Sequence, residues 1–294
     1  MDCTDNTATA TIIIPAYNEA QTIRPLVQTI LDLPLDLKVL VVDDASTEGT
    51  AEALDGMERV RVLRHPYNKG NGAAVKTALL HADTERLLII DADGQHDPAD
   101  IPRLLEALDE NADMVVGART NESDASRFRN VGNAVFNWLG SKLTGVRIQD
   151  MTCGFRAFRR ERILRFLSLY PNRFSFPTTS TMCFITTGLT VLYLPIQARK
   201  REAGTQSKIR PWRDGMKFLI IIARIVLFTP LKVFLPLGLG FFGLGVLWSV
   251  KTVYCTWSIS AGALLLLLFG VFFTLFGFMF DQIMALRKDM AMRD

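Results

Sequence analysis

The chain has 294 residues, of which 49% are hydrophobic, so it has material for one large domain or two small ones. Its net charge of +3 is too small to imply a nucleic-acid partner. Four scattered cysteines, Cys3, Cys153, Cys183 and Cys255, have no CxxC spacing and indicate neither a disulfide framework nor a zinc site.

Residues 1–6 contain neither a basic stretch nor an apolar run, so the expectation is a head that stays in the cytosol. From there, short apolar β-rich runs alternate with helical patterns. Strands are predicted at 11–14, 38–42, 60–63, 86–90 and 114–117, and helices at 22–31, 72–80 and 98–108. Alternating β and α units predict an α/β head, an open and largely parallel sheet covered on both faces. Such sheets bind ligands beyond the carboxyl ends of their strands.

Residues 212–228 mix Phe218, Leu219, Ile221, Ile222 and Ile225 with Arg213, Lys217 and Arg224. That pattern predicts a helix in the membrane interface, with packing on the head as the alternative. Residues 233–250 and 252–280 contain no charge. Each run is long enough to cross roughly 30 Å of hydrocarbon at about 20 residues per span. The alternative is a pair of core helices in a soluble protein. The domain expectation is a head over 1–210, an interfacial helix over 211–230 and two spans, about 232–251 and 258–280, within 231–294. Basic residues flank the spans, from Arg199 to Arg224 before them and at Arg287 and Lys288 after, while the connecting turn offers only Lys251. This asymmetry predicts an inner (plasma) membrane location, multi-pass, with the head and both termini cytoplasmic.

Chemistry enters with Asp91-Ala92-Asp93-Gly94-Gln95. Residues two apart at a strand end point the same way, so Asp91 and Asp93 can serve one site. Hard oxygen donors without clustered histidine or cysteine favour Mg²⁺ or Mn²⁺, with Gln95 adding an amide oxygen. A solvated turn is the plainer alternative. Asp97 and Asp100 frame Pro98 as a helix cap and first turn, and His96 is read as structural. The Gly70-Asn71-Gly72 turn could approach a phosphate or be only a turn.

Ile13-Ile14-Pro15-Ala16-Tyr17-Asn18-Glu19, Val41-Val42-Asp43-Asp44-Ala45-Ser46, Asn68-Lys69-Gly70-Asn71-Gly72, the Asp91 to Gln95 motif, Gly117-Ala118-Arg119 and Cys153-Gly154-Phe155-Arg156 together resemble family 2 glycosyltransferases. The likeness is greatest to polyprenyl-phosphate sugar synthases, including dolichyl-phosphate mannose synthase and bacterial undecaprenyl-phosphate glycosyltransferases. The resemblance implies a GT-A fold, a UDP- or GDP-sugar donor, a divalent metal, a polyprenyl phosphate acceptor and inversion at the anomeric carbon. It implies that Pro15, Ala16, Tyr17, Glu19, Asp43, Asp44, Lys69 and Asp91 hold the nucleotide and that Asp91, Asp93 and Gln95 hold the metal and diphosphate. A homo-oligomer is left open.

No Asp or Glu occurs between Glu161 and Glu202, where many relatives carry an acidic residue. A sugar hydroxyl acceptor needs a positioned base. A phosphate monoester, with a second pKa of about 6, is already largely ionised and needs cations instead. The candidates are Arg119, Arg127, Arg129, Arg156 and the loop from Arg201 to Lys208, with Asp93, Arg119 and Arg127 as the expected catalytic group and Asp150 as a fallback base. Two rival readings remain at this stage, a processive polysaccharide synthase and a non-catalytic nucleotide-sugar-binding subunit. The first usually has a QxxRW motif and more spans, and neither is seen.

Overall fold

A computed structural model describes residues 9–119, 127–173, 175–197 and 211–293. Strands β1 (Ala10–Ala16), β2 (Leu37–Asp43), β3 (Val60–Arg64), β4 (Arg86–Ile89), β5 (Met114–Arg119), β6 (Arg156–Arg159) and β7 (Val191–Ile196) form one sheet in the order β3-β2-β1-β4-β6-β5-β7. Only β6 runs against its neighbours, pairing antiparallel with β4 and β5. Every residue of β1 is buried, as expected of a central strand covered on both faces. Pro15 is tolerated there because Ile13, two residues earlier, uses its carbonyl on Ile90 (3.0 Å), and Pro15 faces that same side beyond the end of β4.

Helix α1 (Ala20–Leu31) buries Ile23, Leu26, Val27 and Ile30, one stripe at 3.6-residue spacing. Each such side chain contributes roughly 1.5–3 kcal/mol by leaving water. Helix α2 (Asn71–His81) covers β1 and β2. The helix expected from residue 98 begins as a 3₁₀ turn, Pro98–Asp100, capped by Asp97 Oδ1 on Ala99 N at 3.1 Å, and continues as α3 (Ile101–Asp109). Three further helices complete the head: α4 (Arg127–Thr144), α5 (Arg160–Leu164) and α6 (Phe176–Thr186).

Helix α7 (Pro211–Phe228) buries Ile221, Ile225 and Phe228, and Phe218 packs on Phe136 of α4 at 4.7 Å between ring centroids. One apolar face therefore packs on the head, while Leu219, Ile220 and Leu227 remain exposed.

Helices α8 (Leu231–Thr256) and α9 (Ala261–Arg293) form a hairpin. Both run past the expected spans, and the turn falls at 257–260. The reason is local: Trp257 takes a left-handed φ of 54° that ends α8, and Ser260 Oγ accepts Ala263 N at 3.2 Å to start α9. The helices approach closely at glycine, since a Cβ at Gly238 would lie 2.3 Å from Thr274 Oγ1 and 2.8 Å from Gly270 O. Only 11% and 17% of their apolar windows are buried, so leucine, valine and phenylalanine face outward. That surface argues for lipid contact and against core helices of a soluble protein.

Candidate active site

The loops after β1 and β2 are laced together. Asn18, at a φ of 56° that asparagine tolerates, accepts Thr47 N at 2.8 Å, while its own N–H donates to Ser46 Oγ at 2.9 Å. Glu19 N donates to Thr50 Oγ1 at 3.1 Å, and Asp44 N to Ala16 O at 2.9 Å. Pro15 and Ala16 are buried beneath this lattice, and Tyr17 projects from it with 46% of its surface exposed.

The two acidic residues after β2 are buried and differ in role. Asp44 accepts Lys69 N at 2.8 Å and Gly70 N at 2.7 Å, and its Oδ1 lies 2.7 Å from His65 Nδ1. Its carboxylate is thus spent on holding the Lys69 loop. Asp43 Oδ1 accepts Ser46 N at 2.9 Å, but its Oδ2 makes no hydrogen bond although Arg64 Nε is 3.2 Å away. Lys69 directs its ammonium over the Tyr67 ring, 5.6 Å from the centroid.

Gly70 and Gly72 approach the chain itself and not a phosphate. A Cβ at Gly72 would lie 2.1 Å from Pro171 O, and the first-turn N–H groups of Gly72 and Ala73 donate to Arg173 O and Asn172 O. With those donors occupied, the phosphate reading of this turn is corrected: it docks α2 on 171–173.

The Asp91 to Gln95 loop follows β4. Asp93 Oδ1 accepts Gln95 N at 3.2 Å, and Thr22 of α1 donates to Ala92 O at 2.8 Å, tying this loop to the β1 loop. Gly154 forms a wall against Asp91, where a Cβ would lie 2.4 Å from Oδ2. His96 is buried, stacked on Phe155 at 5.2 Å, with Nε2 3.9 Å from Asp91 Oδ2 and Nδ1 without a hydrogen bond. Burial pushes its pKa down to about 4, so the ring is neutral at pH 7. Among the described residues no group of three or more His, Cys, Asp and Glu converges. Two hard carboxylates with space for ligand oxygens fit Mg²⁺ or Mn²⁺ and do not fit zinc.

Arg119, the last residue of β5, forms a forked pair with Asp150 through Nε (2.8 Å) and Nη2 (3.0 Å), and Nη2 also donates to Thr152 Oγ1 at 2.7 Å. Burial disfavours the charge on both partners, yet their mutual attraction prevails, holding Arg119 above the ordinary arginine value and Asp150 below the usual carboxylate range. Asp150 is therefore a poor base, and the safer reading of it, a structural carboxylate, fits its place as the anchor for Arg119. Arg156 also departs from expectation. It is fully buried and donates to Cys153 O, Pro177 O, Ser180 Oγ, Thr181 Oγ1 and Met151 O, so it clamps the 151–153 loop to α6 and is out of an acceptor's reach. Arg127 and Arg129 lie in the first turn of α4, but their side chains fall outside the described residues, as does the whole of Lys208. The expectations missed Thr22 and the Arg119–Asp150 pair, and they quoted Gly154 within a motif without giving it a role.

Residues 11–165 match the model for glycosyl transferase family 2, and residues 229–286 match the GtrB C-terminal hairpin. The chain belongs to glycosyl transferase family 2, and its head has the GT-A fold. It is 29% identical over 294 residues to the glycosyltransferase AglJ of Haloferax volcanii, covering 96% of each chain. It is 33% identical over 207 residues to the polyprenol monophosphomannose synthase of Mycolicibacterium smegmatis, covering 66% of this chain and 78% of that one. Among solved structures it resembles the mannosyltransferase PcManGT from Pyrobaculum calidifontis, in complex with GDP-Man and Mn²⁺, at a TM-score of 0.52 and 20% identity over 97% of this chain and 86% of that one. The protein is a glycosyltransferase, and the hairpin associates it with a membrane.

Proposed function

We propose that the chain transfers a single sugar from a UDP- or GDP-sugar to a polyprenyl phosphate at the cytoplasmic face of the membrane, with inversion at the anomeric carbon. The observation that carries this reading is the pairing of Asp150 with Arg119. With Asp150 held ionised as an anchor and no acidic residue between Glu161 and Glu202, the acceptor must arrive already ionised. A phosphate monoester does so at neutral pH.

In this reading Tyr17 and Asp43, whose Oδ2 makes no hydrogen bond, face the nucleoside, and Pro15, Ala16, Glu19 and Lys69 shape its pocket. Asp44 acts one step back, by fixing the Lys69 loop. Asp91 and Asp93, with Gln95, hold a divalent metal together with the donor diphosphate. Bound there, Mg²⁺ or Mn²⁺ neutralises charge on the departing nucleoside diphosphate. Arg119 presents the edge of its guanidinium that Asp150 leaves open to the acceptor phosphate, with Arg127, Arg129 and Lys208 as further cations. An acceptor oxygen bonds to the anomeric carbon as the bond from that carbon to the diphosphate breaks, and no proton need be taken. The polyprenol monophosphomannose synthase relative supports this acceptor class, and the exposed apolar face of α7 and the hairpin support a lipid-linked acceptor. The domain reading that accompanies it is a head to residue 210, an interfacial α7 and a spanning hairpin with both termini cytoplasmic.

Incubation of the full chain in membranes with polyprenyl phosphate and each of several labelled nucleotide sugars tests the proposal. One donor should yield a lipid carrying one sugar, and Asp93→Ala should lower that yield at least about 100-fold with the fold kept. A polymer, or binding without product, overturns it.

A further inference from the structure

A cavity of about 340 Å³ opens where three parts of the molecule meet: Thr179 of α6, Arg224 and Phe228 of α7, and Phe280, Met284 and Arg287 of α9. Its wall contains two arginines and no carboxylate. Asp281 and Asp289, the acidic residues at this end of α9, are not part of it. Lys288 brings a third cation to the rim, its Nζ 3.4 Å from the carbonyl of Phe228. Arg224 is half-buried, and its Nη1 donates to Thr179 Oγ1 at 3.2 Å. Asp281 acts on Lys288 at a distance, but among the described residues no carboxylate offsets Arg224, which burial draws below its ordinary pKa.

Three cations gathered around a partly apolar cavity repel one another until an anion joins them. The other half of the wall is the end of a long apolar helix, so the anion that fits also carries hydrocarbon. We propose that this cavity binds the head group of an acidic phospholipid, clamping the hairpin to the head at the membrane surface. The wall shares no residue with the Asp91 loop, the Asp44 loop or the Arg119–Asp150 pair. The lipid bridges α7 and α9 through Arg224 and Arg287, as a phosphodiester can accept from both guanidinium groups at once.

The test uses the full chain in phosphatidylcholine nanodiscs without nucleotide sugar, with phosphatidylglycerol, inorganic phosphate or polyprenyl phosphate added in separate samples. Adding phosphatidylglycerol should raise the unfolding midpoint, and native mass spectrometry should find phosphatidylglycerol retained. Arg287→Gln, at an exposed position that leaves the fold intact, should weaken retention about fivefold, and Arg224→Gln should do the same. Lys251→Gln, at the opposite end of the hairpin, should leave it unchanged. Unaltered retention in Arg287→Gln overturns the proposal. Equal stabilisation by inorganic phosphate in phosphatidylcholine discs also overturns it, by showing a free-anion site. Stabilisation by polyprenyl phosphate but not by phosphatidylglycerol would assign the cavity to the acceptor and equally overturn it.

Discussion

Asp150 is nearly buried and meets Arg119 in a forked pair, so the two side chains have one job between them, to fix a cation at the end of β5. Replacing Asp150 with Asn leaves that cation unanchored in a site where it is mostly buried, which costs about 3–5 kcal/mol of stability. The expected kinetic mark is a higher acceptor KM with a smaller change in kcat, recovered in part by Asp150→Glu. Because the folded pKa of Asp150 is depressed, the pair's contribution is complete above the unfolded value of 3.8 and is lost as pH falls through the folded value. Acid unfolding followed by fluorescence should therefore be less pH-dependent below about pH 4 in Asp150→Asn than in the parent. Gly154 makes a second residue-level prediction. Its missing side chain is what lets Asp91 sit where it does, so Gly154→Ala should displace that carboxylate and raise the metal concentration needed for half-maximal transfer by at least about tenfold. Asp91 and Asp93 were legible in the sequence because two residues at a strand end share a direction. Gly154 and Thr22 were not, since their partners lie far along the chain, 70 residues away in the case of Thr22 and Ala92.

The first five strands and three helices could be read from the sequence, most plainly where β1 and β2 are continuous apolar runs and α1 and α3 carry apolar stripes. The second half of the head hides its elements. Strand β6 is four residues, Arg-Ala-Phe-Arg, and one of its arginines is fully buried, a placement that only the carbonyls and hydroxyls around it make tolerable. Strand β7 contains Pro195, which argues against a strand locally and is accepted here at the sheet's edge. Helix α6 reads Phe-Pro-Thr-Thr-Ser-Thr, polar residues with no amphipathic period, yet Thr178 through Thr181 are buried. Docking of α2 on 171–173 is testable at this scale. Gly72→Ala should lower stability by about 2 kcal/mol or more, measured by chemical denaturation in detergent, because the new methyl would meet Pro171 O.

For the molecule as a whole, the hairpin was visible in composition alone, whereas its length was not, since the cap at Trp257 and the Ser260 turn decide where the helices end. The close approach at Gly238 gives a global prediction. Gly238→Leu should part α8 from α9 and reduce transfer to a membrane-embedded polyprenyl phosphate at least about tenfold, while transfer to a short, water-soluble prenyl phosphate persists. Equal loss with both acceptors would mean that the hairpin supports the fold of the head and not access to the lipid. Strand β6 bears on how the enzyme comes into being. Because it alone runs backwards, the glycine two residues before it, Gly154, returns to the mouth of β4 and closes the side of Asp91. A ribosome that has made every metal-binding residue has still not made a working pocket. The pocket is finished only when this late strand slots between β4 and β5, with α6, β7 and α7 still to emerge before the hairpin that tethers the nascent enzyme to its bilayer.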